Sequence, residues 1–294
     1  MEKMRIGFVG LGLMGSAMTK NLLSQGFPLI VHDIEQSKLY SIIEAGADKI
    51  EAPSKLPRKV DIVILSLPNS HVVDKVVKDD LKLFDTGRKG MILIDTTTAD
   101  PIMSESLAEQ LREKGIEMLD ATISGTSKMC AERDITFMVG GNEESAKKCA
   151  PIFSAMGDRI FYLGKNGSGA LMKLIVNLVL GLNRMVLAEG LSFGQKAGMD
   201  PYRLLEVLKS SAAYSKAMDM KGLKMIENNF LPPEGKLSYH LKDVRLMIEL
   251  GNRLNFPLFL SGLHAQALAS QVAKGRGEED NAAIISFYND FMQS

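Results

Sequence analysis

Phe8-Val9-Gly10-Leu11-Gly12-Leu13-Met14-Gly15 decides how the first half of this chain folds. It follows an apolar run of strand length, Arg5–Val9, and leads into a helical pattern that continues through Asn21 and Leu22. Gly10 permits a tight turn, Gly12 lets a diphosphate approach the backbone, and Gly15 lets the helix lie close on the strand. The helix start adds N–H groups with no partner of their own and the positive end of the helix dipole. Glycines also punctuate ordinary turns, so the pattern gains meaning only from its surroundings. Those surroundings fit. A second apolar run, Pro28–Asp33, ends in an acid 23 residues after Gly10, where a carboxylate can hold the hydroxyls of an adenosine ribose. The stretch reads as a dinucleotide turn, with Gly10, Leu11, Gly12, Leu13, Met14 and Gly15 around the phosphates and Asp33 on the ribose. Asp33 repels a 2′-phosphate, the next basic residue is Lys38, and Glu35 adds negative charge. NAD is therefore expected over NADP. The plainer alternative is that Asp33 only caps the following helix.

Working outward, further strands are expected at Asp61–Ser66, Met91–Asp95, Glu117–Asp120, Thr136–Val139 and Ile160–Leu163. Several are apolar almost without interruption, as in Val60, Ile62, Val63, Ile64 and Leu65. Strands covered on both faces read this way, so a mostly parallel sheet with helices on both sides is predicted. Amphipathic stretches such as Ser104–Lys114 and Glu143–Met156 lie between them, and Asp100-Pro101 and Asp200-Pro201 mark helix starts. Beyond Leu163 the strand signal ends. A glycine-rich stretch, Gly164–Gly169, precedes a long apolar run from Ala170 to about Ala188. Helices are then expected at Pro201–Ser211, Ser238–Leu254, Ser261–Lys274 and Asn281–Phe291, with a loop around Asn228–Lys236. The predicted fold is α/β: an N-terminal Rossmann-type doubly wound sheet over 1–164, joined by a long helix to an all-α domain over 165–294.

The 294 residues carry 35 basic and 35 acidic side chains, with 46% hydrophobic and 24% charged residues. A neutral chain offers no bulk field to a polyanion, which argues against general nucleic-acid or membrane-surface binding. Two cysteines, Cys130 and Cys149, are too few for a disulfide framework and suit a reducing compartment. Apolar runs fall short of the roughly 18 uninterrupted residues a spanning helix needs, and the first strand starts too early to leave room for a leader. A cytoplasmic protein is expected. Its long apolar helix points to a homodimer or homotetramer. The four histidines, His32, His71, His240 and His264, show no ligand spacing, so no metal site is expected.

With these residues in hand, the chain resembles the β-hydroxyacid dehydrogenases, the group of 3-hydroxyisobutyrate dehydrogenase, over essentially its whole length. Phe8 through Leu22 meets the family's opening pattern, with Thr19 where Ser or Ala is usual. Leu67-Pro68-Asn69 and Asp95-Thr96-Thr97-Thr98 look like its cofactor loops; the resemblance implies that Leu67, Pro68, Asn69 and Thr98 lie along the nicotinamide half of the cofactor. Turn and cap chemistry is the alternative for them. The family's substrate element reads Asp120-Ala121-Thr122-Ile123-Ser124-Gly125-Thr126 here, with Thr122 for a proline and Thr126 for a glycine. Ser124 and the N–H groups of Gly125 and Thr126 could grip a small carboxylic-acid substrate. The two changes leave substrate identity open.

Gly167 through Asn177 matches the family's lysine segment, with Leu178 in place of a second asparagine. Lys173 and Asn177 are four apart and share one helix face. Lys173 is the sole charged residue between Ala170 and Leu182, a costly place for an unpaired ammonium. The alternative is a lysine that lays its stem on apolar surface with its amine in water. The resemblance implies that Lys173 is the general acid/base of hydride transfer, its pKa lowered by an apolar setting, with Asn177 aligning it. Leu241-Lys242-Asp243-Val244 resembles another family element, in a helical domain like that of 6-phosphogluconate dehydrogenase. The resemblance places Lys242 near the nicotinamide ribose, with Asp243 orienting it; a solvated surface pair is the alternative. Leu237 and Tyr239 are the nearest candidates for an aromatic residue usual upstream, and Asp280 is expected to cap the last helix. The resulting expectation is an NAD-dependent oxidoreductase interconverting a small β-hydroxyacid and its semialdehyde or keto acid. The alternatives are an NADPH-dependent succinic semialdehyde or glyoxylate reductase, weakened by Asp33-Ile34-Glu35, and a non-catalytic dinucleotide-binding module, weakened by Lys173.

Overall fold

A computed structural model describes residues 3–291. The strands are β1 (Ile6–Val9), β2 (Leu29–His32), β3 (Asp48–Lys49), β4 (Ile62–Leu65), β5 (Ile92–Asp95), β6 (Glu117–Ser124), β7 (Thr136–Gly141) and β8 (Arg159–Tyr162). They form one sheet in the order β3-β2-β1-β4-β5-β6-β7-β8. Neighbours run parallel except β6 and β7, so the last two strands oppose the rest. Alternation along β4 explains its continuous apolar run: Ile62 and Ile64 enter one core and Val63 and Leu65 another, one on each face. Ile92 and Ile94 of β5 divide from Leu93 in the same way. Each such side chain contributes roughly 1.5–3 kcal/mol by leaving water. The covering helices are α1 (Leu13–Ser24), α2 (Gln36–Glu44), α3 (Ser70–Lys75), α4 (Leu83–Thr86), α5 (Pro101–Glu113), α6 (Ser127–Ala131) and α7 (Glu143–Met156).

The helical half holds α8 (Ser168–Lys196), α9 (Pro201–Ser210), α10 (Lys216–Ile226), α11 (Leu237–Arg253), α12 (Phe259–Ala273) and α13 (Ser286–Asn289). The chain divides into two compact units, Met1–Lys173 and Leu174–Ser294. That division falls later than the 164/165 boundary read from the glycines, because the first turn of α8 is bound to β6. Length and composition would let α8 cross a membrane. Yet Leu174, Met185, Leu187, Ala188 and Leu191 on it lie in the core of the second unit, and Arg184 is buried beside them. In that unit Lys221 and Asp280, both almost fully buried, pair at 2.9 Å, and Asp280 also accepts from the N–H of Ala282 at 3.0 Å. Asp280 thus caps the last segment as expected. That segment begins as a 3-10 turn, Asn281–Ile285, because Ala282, Ala283, Ile284 and Ile285 are all buried and leave no polar face.

Three further elements differ from the sequence reading. β3 is two exposed polar residues, too short to show any period. α10 lacks a marked start, since Ser215 makes no capping side-chain bond. β6 runs on to Ser124 instead of stopping at Asp120, because β7 pairs with it through Ser124–Thr136.

Asp95 and Asp120 face each other across β5 and β6, and both are buried. Burial pushes the Asp95 carboxyl up to about 7, against the pull of its hydrogen bonds from Thr97 and with added push from Asp120. An acid that keeps its proton longer when folded stabilises the fold below its unfolded pKa near 4. That contribution disappears as pH rises through 7. Asp95→Asn keeps the acceptor for Thr97 and removes the titration. Urea unfolding of wild type should therefore lose stability relative to Asp95→Asn between pH 4 and 8, by on the order of a few kcal/mol. A pH-independent difference would contradict this.

Candidate active site

The glycine turn sits at the carboxyl end of β1, at the point where strand order reverses between β2 and β4, the usual ligand crevice of such sheets. Gly10 has φ 95°, and a Cβ there would stand 2.2 Å from the Ser66 carbonyl oxygen. A Cβ on Gly15 would come within 2.0 Å of the Gly10 carbonyl oxygen. A Cβ on Gly12 would meet nothing within 4 Å, so the turn is open on that side. Gly12 is also the N-cap of α1, with no side-chain cap and no acid in the first turn. The neighbouring α3 and α5 are capped by Asn69 and Asp100. An uncapped twelve-residue helix with an open glycine at its head fits the diphosphate of a dinucleotide. Leu13 and Ile34 stand exposed beside it, whereas Leu11 is buried.

Asp33 lies just past β2 and is buried. One carboxylate oxygen accepts the Leu11 N–H at 2.6 Å and the other accepts the Glu35 N–H at 2.8 Å. The carboxylate is thereby fixed beneath the glycine turn, with a second lone pair on each oxygen for ribose hydroxyls. It is not the cap of α2, whose N-cap is Glu35. Lys38, the first cation downstream, is held by Glu35 at 2.7 Å.

The next two loops are tied together. The Thr97 hydroxyl accepts the Leu67 N–H at 3.1 Å, and Asp95 accepts the Thr97 N–H at 3.0 Å. Ser70 accepts the Asp100 N–H at 2.7 Å. Asn69 caps α3 by accepting from Val72 at 3.0 Å, so its side chain has a structural duty. Thr98 is the half-exposed member of Thr96–Thr98, and Pro68 is exposed. The sequence points to Thr98 and not to Thr97, whose role depends on a loop residue 30 positions away, Leu67.

β6 builds the rest. Asp120 is level with the end of β5, so Ser124 projects roughly 13 Å past it at about 3.3 Å per residue. Gly125 has φ 148°, and a Cβ there would collide with Ile135 at 2.6 Å. Thr126 caps the short α6, accepting from Met129 at 3.2 Å. Asp120 accepts the N–H groups of Gly167 at 2.9 Å and Ala170 at 3.0 Å. Burial pushes its carboxyl up, and those N–H bonds pull it back. Thr122 donates to the Gly169 carbonyl at 2.7 Å, a bond the family's proline could not make. A Cβ on Gly169 would lie 2.3 Å from the Asp120 carbonyl oxygen, so only glycine lets α8 approach this closely. Lys173 follows one turn later, half-buried and not wholly enclosed in apolar side chains.

Within the second unit, Asn177 donates to Asp243 at 3.1 Å, and Lys242 pairs with the other Asp243 oxygen at 3.1 Å. Asp243 therefore orients both residues. Arg184, which the sequence reading passed over, is buried nearby; burial lowers its pKa to about 10, against the pull of Asp280 and Asp243. Leu237 is fully buried and Tyr239 exposed beside Lys236. The rings of His240 and His264 meet at a tilt of 51°, centroids 5.1 Å apart, beside Gly181. Among the described residues no group of three or more His, Cys, Asp or Glu is placed to hold a metal ion.

Known proteins resemble this chain along nearly its whole length. The family model for the NAD binding domain of 6-phosphogluconate dehydrogenase matches residues 5–164, and that for the NAD-binding part of NADP-dependent 3-hydroxyisobutyrate dehydrogenase matches 167–288. The chain is 32% identical to the 2-(hydroxymethyl)glutarate dehydrogenase of Eubacterium barkeri, over 98% of its own length and 96% of the relative's. It is 31% identical to glyoxylate/succinic semialdehyde reductase 1 of Arabidopsis thaliana, over 96% and 97%. The solved 3-hydroxyisobutyrate dehydrogenase of Mycobacterium tuberculosis shares the fold, with a TM-score of 0.89 at 24% identity over 97% of this chain and 99% of that one. The chain belongs to the β-hydroxyacid dehydrogenase family. It is an NAD(P)-dependent oxidoreductase acting on a hydroxyl-bearing carbon.

Gly169→Ala should force the first turn of α8 away from β6 and carry Lys173 with it. Turnover is expected to fall by more than about 10²-fold, the scale of a displaced reacting group. Dinucleotide affinity, measured by fluorescence titration, should change only a few-fold. Parallel losses in both would mean that Gly169 supports the whole first unit and not the lysine alone.

Proposed function

We propose that the protein interconverts a small β-hydroxyacid and its semialdehyde or keto acid, with NAD as preferred cofactor and Lys173 as general acid/base. The observation that carries this reading is the shared anchor on β6. The same strand that ends in Ser124 and Gly125 also holds, through Asp120 and Thr122, the helical turn that leads to Lys173. A carboxylate gripped by Ser124 and the adjoining N–H groups would leave the carbinol carbon of a short acid on the lysine side. The nicotinamide of a bound cofactor supplies the carbon that accepts or releases hydride. As hydride leaves the carbinol carbon, Lys173 Nζ takes the hydroxyl proton; in reduction it returns that proton to the carbonyl oxygen. Asp243 keeps Asn177 in a fixed rotamer on the same face of α8 as Lys173. Half-burial keeps Lys173 in reach of water, which allows its proton to exchange between turnovers.

The preference for NAD rests on Asp33. Its carboxylate is locked in place by two N–H groups, and Glu35 holds Lys38, the next lysine along the chain. A 2′-phosphate would meet the fixed negative charge of that carboxylate. The names of the relatives suggest the substrates to screen: 3-hydroxyisobutyrate, 2-(hydroxymethyl)glutarate, and the reduced forms of glyoxylate and succinic semialdehyde, beside 3-hydroxypropionate, serine and tartronate.

Lys173→Ala should lower kcat by about 10²–10⁴-fold on the best substrate of that panel while leaving NADH affinity nearly unchanged. Unaltered turnover would move the proton transfer to another group. NADH should bind at least about tenfold more tightly than NADPH, a difference of about 1.4 kcal/mol. Equal or reversed affinities would remove the NAD assignment and favour the NADPH-dependent semialdehyde reductase.

A further inference from the structure

Two acids in the first unit stand closer together than their charges favour. Asp95 and Asp120 are register partners on β5 and β6, and each is 1% exposed. Neighbouring strands lie about 4.8 Å apart, and in a parallel pair residues at one level leave on the same face. Leu93 and Met118, two residues before each acid, share one core accordingly. Two carboxylates so close and so dry do not both ionise readily, so the pair keeps a proton. Asp120 accepts two backbone N–H groups, from Gly167 and Ala170, which favour its charged form. Asp95 accepts one, from Thr97, and is the member pushed up to about 7. The proton therefore sits on Asp95.

Asp95 also holds the loops after β4 and β5 together, since the Thr97 it binds accepts the Leu67 N–H at 3.1 Å. On its other side it lines a small cavity with Ser70, Asp74, Met103, Ser104 and Met118. Asp74 is 38% exposed and pairs with Lys78 at 2.7 Å. The cavity thus joins a buried acid to a carboxylate at the surface, with two hydroxyls between them, a polar route for a proton. Asp120 and Asp74 are the charged groups that face Asp95. On α3, His71 and Lys75 are exposed; on α5, Glu105 pairs with Lys165, Arg112 with Asn166, and Glu109 and Glu113 are exposed. Glu117 lies at the opposite end of β6, β4 and β7 carry no charge, and Lys173 comes a turn after the N–H groups that bind Asp120.

We propose that the Asp95–Asp120 pair senses the redox state of the cofactor, giving up its proton to solvent when the oxidised nicotinamide binds and keeping it when the reduced one binds. The inference rests on the proposed function, and on the placement of the nicotinamide along these loops that the family resemblance implies. The oxidised ring carries a positive charge and the reduced ring none, while the phosphates are common to both. A cation near a buried acid favours its ionised form. NAD⁺ therefore lowers the Asp95 pKa relative to NADH, and the ratio of NAD⁺ to NADH affinity rises as pH passes through 7. In the oxidation direction the pair regains a proton from solvent as the ring becomes neutral. It follows the hydride without touching it.

Calorimetric titration at pH 7, in buffers of different ionisation enthalpy, counts the protons released on binding. For a coupling of about one pKa unit, NAD⁺ should release roughly 0.4 proton more than NADH. Between pH 6 and 8 the NAD⁺ to NADH affinity ratio should rise by about fivefold or more. Asp95→Asn should remove both the extra release and the slope. The same positive ring repels a Lys173 ammonium, so the count is repeated in Lys173→Ala, where the extra release should persist. Turnover unaltered by Lys173→Ala would remove the lysine's role and leave this proton count standing. Should Asp95→Asn fail to fold, infrared difference spectra of the wild-type complexes decide: a carboxylic C=O band should be present with NADH and weakened with NAD⁺. Equal proton counts for the two cofactor forms, an extra release lost in Lys173→Ala, a slope that survives Asp95→Asn, or an unchanged C=O band would each overturn the proposal.

Discussion

The carboxylate of Asp120 is the interaction on which the site depends. Buried in β6, it can exist there only if its oxygens find donors, and it finds them in the N–H groups of Gly167 and Ala170. Those are groups at the head of a long helix that have no intrahelical partner. A buried acid and an unsatisfied helix end thus answer each other, and the result is that α8 starts against the sheet. Thr122 and Gly169 refine the contact, the first by a hydrogen bond and the second by having no side chain to hold the helix off. The position of Lys173 follows from this joint, because a helix bound at its first turn leaves little freedom one turn later.

The glycine turn obeys a similar logic with the opposite outcome. Asp100 and Asn69 finish the heads of α5 and α3 with side-chain oxygens, whereas α1 begins at Gly12 with none. Beneath it, Asp33 is held by the very loop it would help to serve, through the N–H of Leu11. Stability and recognition share these atoms, so a change at Asp33 disturbs the turn as well as the ribose contact.

The departures from the family's pattern acquire physical reasons. Thr122 gains a bond to the Gly169 carbonyl that proline could not make, Thr126 caps α6, and Leu178 packs on the helical core where an asparagine would bury an amide. Thr19, fully buried, returns its hydroxyl to the Gly15 carbonyl at 2.9 Å. None of these four side chains has to touch a substrate for its presence to be understood.

Much of the plan is legible in the sequence. The apolar alternation of β4 and β5, the Asp-Pro helix starts and the spacing from Gly10 to Asp33 are local patterns, and the backbone conformations they demand are set by neighbouring residues. Lys173 stood out because its neighbours along the chain are apolar. What could not be read is every contact between residues far apart in sequence: Thr97 with Leu67, Asp120 with the head of α8, Asp243 with Asn177, Asp95 against Asp120. A side chain's polarity says that it needs a partner, but strand order and register decide which partner it meets. The chain by itself therefore determined the layered α/β plan and the chemical types at the site. Tertiary structure alone decided which donors each carboxylate meets, because only packing brings the competing donors within hydrogen-bond reach.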